Sequence, residues 1–189
     1  QCNAISGEEN PDLVAFIGWE WTQAGSTPET HYGHHNVFFK DYKEGMIPDR
    51  PIAAGGTIAL ILRIQLADVN RNLFLFDPVN SEYYFSFANF LDAILETDTC
   101  QEGLPSNYLP KDCWETAATP AELYGKLDDW GFETEVIPHG TTWGFYTPQA
   151  ASWDEYMMDQ DNIRPDYSSM IEIYSGHGNS EEYLDFKEV

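Results

Sequence analysis

The fold of this chain is decided by one short stretch, Glu135-Val136-Ile137-Pro138-His139-Gly140-Thr141-Thr142-Trp143-Gly144. Its apolar run ends at Pro138, which has no N–H to donate to a sheet ladder. Gly140 follows, and glycine reaches backbone angles that other residues avoid. The pattern predicts a buried strand that stops here and presents the imidazole of His139 at its carboxyl end. In parallel α/β proteins, binding and catalytic groups collect at that end of the strands.

The segment before this strand has the features of a capped helix. Thr119 suits the N-cap, Pro120 suits the first helical position, and Glu122 is placed to complete a capping box. Apolar residues at helical spacing, followed by a C-cap glycine, come next: Leu123, Leu127, Trp130 and Gly131. A helix, a short turn and a strand in this order predict half of a βαβ unit.

Composition and charge narrow the class of protein. The chain has 189 residues, of which 42% are hydrophobic, enough for a single domain (1–189) with a real core. Its net charge of -23 repels phosphate backbones, so nucleic-acid binding is not expected. The same charge attracts divalent cations, although a solubilised or salt-adapted surface explains it equally. No window has the roughly 18 continuous apolar residues of a spanning helix, so we expect no membrane insertion.

A carboxylate follows the first apolar run. Residues 13–21 are apolar except for Glu20, and such a run predicts a strand buried on both faces. Glu20 lies between Trp19 and Trp21. A buried carboxylate is costly without a partner. The partner is either a metal ion or one of only nine Lys and Arg residues.

Histidines are concentrated just before the next predicted strand. Three of the five lie within five positions, at His31, His34 and His35. Alternation along a strand places His34 and Asn36 on one face and His35 on the other. Neutral imidazole is the commonest metal ligand in proteins, so this cluster indicates a metal site.

The remaining segments give weaker signals. The spacing of Phe87, Phe90, Leu91, Ile94 and Leu95 predicts a helix from Ser81 with that stripe in the core. Residues 72–76 predict a short strand or lid, and residues 170–174 a strand that contains Glu172. Short helices are predicted over 153–161 and from Ser180. The segments 40–56 and 99–118 are expected to be irregular.

The three cysteines cannot all pair within one chain. Cys100 and Cys113 flank a loop rich in proline, glycine and asparagine, and a disulfide that closes it would contribute about 3 kcal/mol. Such a pair would favour a periplasmic or secreted location, whereas free thiols would leave the cytoplasm open. Cys2 has no evident partner. The spacing matches no zinc finger.

Polar groups of one chemical kind therefore end four predicted strands: Glu20, His34 with His35, His139, and Glu172 with His177. Imidazoles with carboxylates suit zinc, manganese or iron. Two or more such ions activate a water and clamp an oxyanion. Signatures of other enzymes, namely the G-x-S-x-G elbow, the G-x-G-x-x-G loop and the phosphate-binding P-loop, are absent from the sequence. Paired carboxylates for glycoside hydrolysis stay open, and the histidines favour metal.

Five ordered blocks resemble the bacterial family catalogued as domain of unknown function 3604. They read AFIGWEWT (15–22), HHNVFFKD (34–41), AATPAEL (117–123), IPHG (137–140) and IEIYSGHGNSE (171–181). That family is similar to the polymerase-and-histidinol-phosphatase (PHP) superfamily. The resemblance implies an α/β fold, part of a distorted β/α (TIM-like, PHP-type) barrel. It also implies a site of two or three metal ions that hydrolyses phosphoesters of small molecules.

By this resemblance Glu20, His34 and His139 are metal ligands. His35, Glu172 and His177 are candidates for further metal contacts or for the substrate pocket. The superfamily's opening His-x-His and late Asp-x-His motifs are absent from these residues. We therefore expect an internal fragment of a longer domain, with weak metal binding and no turnover when alone. The alternative is a non-catalytic acidic module that binds cations or a partner.

Overall fold

The computed structural model describes residues 14–56, 71–139, 148, 161–175 and 178–179. The helices with both ends described are α1 (Ser81–Glu96) and α2 (Pro120–Trp130). The strands are β1 (Ile17–Gln23), β2 (Gly33–Phe39), β3 (Ile52–Ala54), β4 (Glu115–Ala117), β5 (Thr134–His139), β6 (Tyr174–Ser175) and β7 (Gly178–Asn179). Short 3-10 turns occur at Pro28–Thr30, Pro78–Asn80 and Ser106–Tyr108.

The main sheet has three strands in the order β1-β2-β5, and both pairings are antiparallel. The prediction of parallel strands around His139 is therefore wrong for this sheet. Residues 24–32 join β1 to β2, and so short a connection suits antiparallel neighbours, whereas a parallel pair needs a crossover of a dozen or more residues. The pairing sets His34 opposite both Thr22 and His139, and Asn36 opposite both Glu20 and Ile137.

One face of this sheet forms the core. The residues of this face with at most 1% of their surface exposed are Trp21, His35, Val37, Phe39 and Val136. Helix α2 packs against them through Leu123, Tyr124 and Leu127. The indoles of Trp19 and Trp21 donate hydrogen bonds to the carbonyl oxygens of Ile52 (3.1 Å) and Ala117 (3.3 Å). The sheet is therefore joined to β3 and β4 through its tryptophans.

The opposite face of the sheet is partly open. Phe16 is 61% exposed, and Gly18 and Glu20 are also exposed, so the prediction that this run is buried on both faces is wrong. β1 is an edge strand of the described sheet, and a helix covers only one of its faces. Glu20 consequently lies in the middle of β1 on the open face.

The predicted helix, its N-cap and its C-cap are confirmed in α2, but the predicted capping box is not formed. The Thr119 side chain accepts a hydrogen bond from the N–H of Glu122 (3.1 Å), as an N-cap does. The Glu122 carboxylate accepts from the N–H of Ala118 (2.7 Å), one residue before the N-cap. Gly131 ends the helix with φ of 68°, the left-handed conformation that favours glycine.

Two predicted loops contain strands. β3 and β4 pair in parallel, Ile52 with Glu115 and Ala54 with Ala117. Each has only three residues, too few for alternation to be recognised in the sequence. The prediction of a strand over 72–76 is also wrong, since residues 71–73 are helical and 74–76 form a turn. Cys100 and Cys113 form a disulfide within the segment that leads to β4.

The predicted helix from Ser81 is α1, but its stripe is only partly buried. Leu91 and Ile94 are buried, whereas Phe90 is 55% exposed. Of the predicted strand over 170–174, only Tyr174 is in a strand (β6). Residues 170–173 are irregular and lie along β5, with the N–H of Glu172 bonded to the carbonyl oxygen of Pro138 (3.1 Å). Because Pro138 has no N–H to return, a regular ladder cannot continue there.

The described strands do not close into a barrel, and the PHP-type barrel stays a prediction. Within the described ranges, no helix is both long and apolar enough to cross a membrane. The predicted helix over 153–161 (of which only its last residue is described), the helix from Ser180, His177 and Gly140 lie outside the described residues.

Candidate metal centre

Three of the predicted ligands come together on the open face of the main sheet. Glu20 comes from β1, His34 from β2 and His139 from β5, and one potential ligand atom from each lies within 4.8 Å of the others. The two imidazoles stack with ring centroids 5.2 Å apart. This closeness follows from the register, because His34 and His139 are direct cross-strand partners.

Glu20 and His34 form the tightest contact of the cluster. His34 Nδ1 lies 2.7 Å from Glu20 Oε1. The Thr22 hydroxyl donates to the same oxygen (2.8 Å) and lies 3.1 Å from His34 Nδ1. Burial raises the pKa of the Glu20 carboxyl, but the hydrogen bonds from His34 and Thr22 and the charges of His34 and His139 outweigh it, so the pKa lies below 4.5. Glu20 is thus held as a carboxylate at neutral pH.

His139 has different neighbours at its two nitrogens. Nε2 faces Glu20 Oε2 at 3.8 Å, and Nδ1 lies 3.6 Å from Glu172 Oε2. The Asn36 amide contacts both His139 and Glu172, with its Nδ2 at 3.3 Å from His139 Nδ1 and from Glu172 Oε2. Glu172 therefore stands behind His139, on the side away from Glu20. Asn36 and Glu172 are therefore polar groups around Nδ1 of His139, as outer-shell groups are around a metal-binding histidine.

The donor set fits a divalent transition metal. Two imidazoles and one carboxylate are a ligand combination of catalytic zinc sites, which keep a further position open for water or substrate. The side chains of His34 and His139 are 8% and 4% exposed, and that of Glu20 is 39% exposed. The two rings are therefore buried, and the carboxylate is reachable from solvent. Among the described residues this is the one group with such geometry, sufficient for one ion. The two or three ions implied by the resemblance stay a prediction.

His35 does not join the cluster, so its assignment to this metal or substrate site is corrected. It lies on the core face with no exposed surface, edge-on to Trp21 at 5.1 Å between ring centroids. Neither of its ring nitrogens has a hydrogen-bond partner in the described structure. The cause is strand alternation, which sends adjacent residues to opposite faces.

Thr22 and Asn36 belong to the site, although the sequence argument assigned them no role. The signal was present, since each lies two positions from a predicted ligand on the same strand, Thr22 from Glu20 and Asn36 from His34. Residues at that spacing share a face.

Comparisons with other proteins add nothing to this geometry. No protein-family model matches the chain, and no curated protein and no solved structure matches it.

Proposed function

We propose that this protein is a divalent-metal-dependent hydrolase that cleaves phosphoesters or related esters of small molecules. The observation that carries the proposal is the convergence of Glu20, His34 and His139, within 4.8 Å, on a solvent-accessible sheet face. Three residues far apart in the chain bring two imidazoles and a carboxylate to one point. A purely structural sheet does not need that combination, since its other face already supplies the core.

Each residue of the cluster has a role in this proposal. Glu20, His34 and His139 would hold the ion. Thr22 orients the Glu20 carboxylate through its 2.8 Å hydrogen bond. Glu172 lies near Nδ1 of His139 (3.6 Å), and Nε2 of the same ring faces Glu20 (3.8 Å). Asn36 holds Glu172 beside His139 by donating to it (3.3 Å).

Binding and hydrolysis of an anionic phosphoester require a positive charge at the site, because the protein itself is acidic. A divalent ion bound here would supply Lewis acidity to the ester oxygen and to an attacking water. With a net charge of -23, the protein alone repels phosphate groups, so substrate binding should depend on the ion. The phosphoester class is inferred from the resemblance to the PHP-related family.

Metal binding and turnover test the proposal together. We expect the full-length protein to bind Mn²⁺ or Zn²⁺ in a titration followed by calorimetry, and to hydrolyse aryl phosphates only when the metal is present. His139→Ala and Glu20→Gln should each weaken metal affinity by at least about tenfold, as loss of a contact at a metal site does. Glu96→Gln, which removes an exposed carboxylate of α1, is the matched control and should change neither quantity.

The possible results separate two classes of protein. Metal binding that depends on His139, without turnover of any ester, would favour the non-catalytic cation-binding module. Absence of metal binding, or equal binding by wild type and His139→Ala, would refute the metal centre itself.

A further inference from the structure

An apolar cleft with a volume of about 460 Å³ lies beside the candidate metal centre. Its lining includes Phe16, Phe38, Ile137 and Met170, with Lys40 and Glu133 at its rim. This volume is within the range of about 300–1,000 Å³ typical of small-molecule sites, which are mostly apolar with a few polar groups.

The cleft and the metal centre share one face of the sheet. Ile137 lies two residues from His139 on β5, and Phe38 lies two residues from Asn36 on β2. Same-face neighbours along a strand are about 7 Å apart. The cleft therefore begins one side-chain position away from His139, a distance that a single aromatic ring can span.

A glycine of β1 lies between a cleft residue and a cluster residue in the chain. Gly18 is two residues from both Phe16 and Glu20, and it adds no side chain to the sheet. Glycine is required at this position because a Cβ at Gly18 would collide with the carbonyl oxygen of Val37 on β2.

The wall of the cleft is anchored together with the metal centre. The N–H of Val136 donates to the carbonyl oxygen of Tyr167 (2.7 Å), and the N–H of Glu172 donates to that of Pro138 (3.1 Å). Met170 lies between these two anchors and lines the cleft. The same short segment therefore places Met170 in the cleft and Glu172 beside His139.

The charged groups around the cleft already have partners. Lys40 pairs with Glu133 (2.6 Å), Asp166 pairs with Arg164 (2.6 Å), and Glu135 accepts from the Ser169 hydroxyl (2.8 Å). These contacts satisfy the hydrogen bonding of the charged side chains, and much of the remaining lining is aromatic and aliphatic. An uncharged hydrocarbon group is the ligand that such a surface binds best.

We propose that the cleft binds the apolar alcohol part of the ester whose phosphoryl group lies at Glu20, His34 and His139. The inference rests on the proposed hydrolase function and specifies its substrate class as phosphate esters of aryl or alkyl alcohols. In the reaction, water adds to phosphorus, the bond from phosphorus to the alcohol oxygen breaks, and the alcohol leaves with a proton from the water. The cleft holds the leaving alcohol.

The test compares 1-naphthyl phosphate with methyl phosphate in the presence of Mn²⁺, with binding followed by naphthyl fluorescence and by calorimetry. We expect the protein to bind 1-naphthyl phosphate at least about tenfold more tightly, the gain from burying one ring. Met170→Glu and Phe16→Ala, both at exposed positions, should reduce this preference to below about threefold. Ile173→Glu adds the same charge to the same segment, outside the cleft lining, and should leave the preference unchanged.

Thermal unfolding of each variant verifies that it is folded, and binding of 1-naphthol in EDTA measures the cleft without the metal. A naphthyl preference that Met170→Glu abolishes supports the cleft assignment, even if no ester is turned over and the proposed hydrolase fails. Equal affinity for both esters, or a preference that Met170→Glu leaves intact, overturns the cleft assignment, even if metal-dependent hydrolysis of methyl phosphate is observed.

Discussion

Replacing His35 with leucine should stabilise the protein. Unlike His34 and His139, His35 lies on the core face of the sheet and not in the candidate metal centre. Both ring nitrogens of His35 are buried without a hydrogen-bond partner in the described structure. Each unsatisfied polar group costs about 1–3 kcal/mol. Leucine removes both groups but loses the edge contact with Trp21, a contact worth about 0.5–1.5 kcal/mol. We expect the free energy of unfolding at pH 7 to rise by about 1–2 kcal/mol, after some repacking of the core.

The gain should grow in acid. Burial, with smaller effects from His139 and His34, lowers the pKa of His35 from 6.5 to about 3. The neutral ring is thus favoured in the folded state, and below pH 6.5 the unfolded state binds the additional proton. Wild type should lose about 2 kcal/mol between pH 7 and pH 5 through this residue, and the leucine variant should not.

Urea unfolding of wild type, His35→Leu and His35→Phe at pH 7 and pH 5 measures both effects. EDTA keeps metal ions away from the candidate site in all three proteins. The phenylalanine variant retains the ring contact with Trp21. The reasoning is refuted if both variants are less stable than wild type at pH 7, or if the difference between wild type and leucine is the same at both pH values.

Three further perturbations test the rest of the fold. Glu115→Gln should lower the free energy of unfolding by about 3–5 kcal/mol in urea titrations, because it leaves the buried Arg50 without its carboxylate. Burial raises the pKa of Glu115, but hydrogen bonds and nearby charges outweigh this and lower the pKa to below 4.5. Wild type should therefore lose the stability that the Glu115 carboxylate contributes as the pH falls below 4.5, and Glu115→Gln should not. Equal acid sensitivity of wild type and Glu115→Gln would contradict this. Reduction of the Cys100–Cys113 disulfide should cost about 3 kcal/mol, measured by calorimetry with and without reductant, and an unchanged melting temperature would contradict the predicted constraint. Gly131→Ala should cost about 1–2 kcal/mol in thermal unfolding, because φ is 68° there, and a neutral result would show that the helix end relaxes.

The sequence predicted local features better than pairing. The caps and extent of α2 were predictable because Thr119, Pro120 and Gly131 act on their own neighbourhood. The direction of strand pairing was not, since it depends on contacts between segments distant in the chain. β3 and β4 were missed because three residues carry no period, and they are recognisable only through their pairing.

The structure brings Glu20, His34 and His139 together in a different way from the one predicted. The sequence pattern predicts that Glu20 and His139 meet at the carboxyl ends of parallel strands. In the structure they meet on the face of an antiparallel sheet, because β2 lies between β1 and β5 and its His34 is paired with His139. Alternation alone separated His34 from His35, and the same rule would have added Thr22 and Asn36.

The site is positioned by the core and not by its own contacts. A shift of one residue in the pairing of β2 would turn Val37 and Phe39 outward and exchange the faces of His34 and His35. Exposing the side chains of Val37 and Phe39 would cost about 3–6 kcal/mol. The ion pairs of Glu20, whose side chain is 39% exposed, do not match that, since ion pairs at accessible positions contribute about 0–1 kcal/mol. Substitutions of Glu20 or His139 should therefore leave the sheet register intact, so that their effects on metal binding and turnover report on chemistry and not on folding.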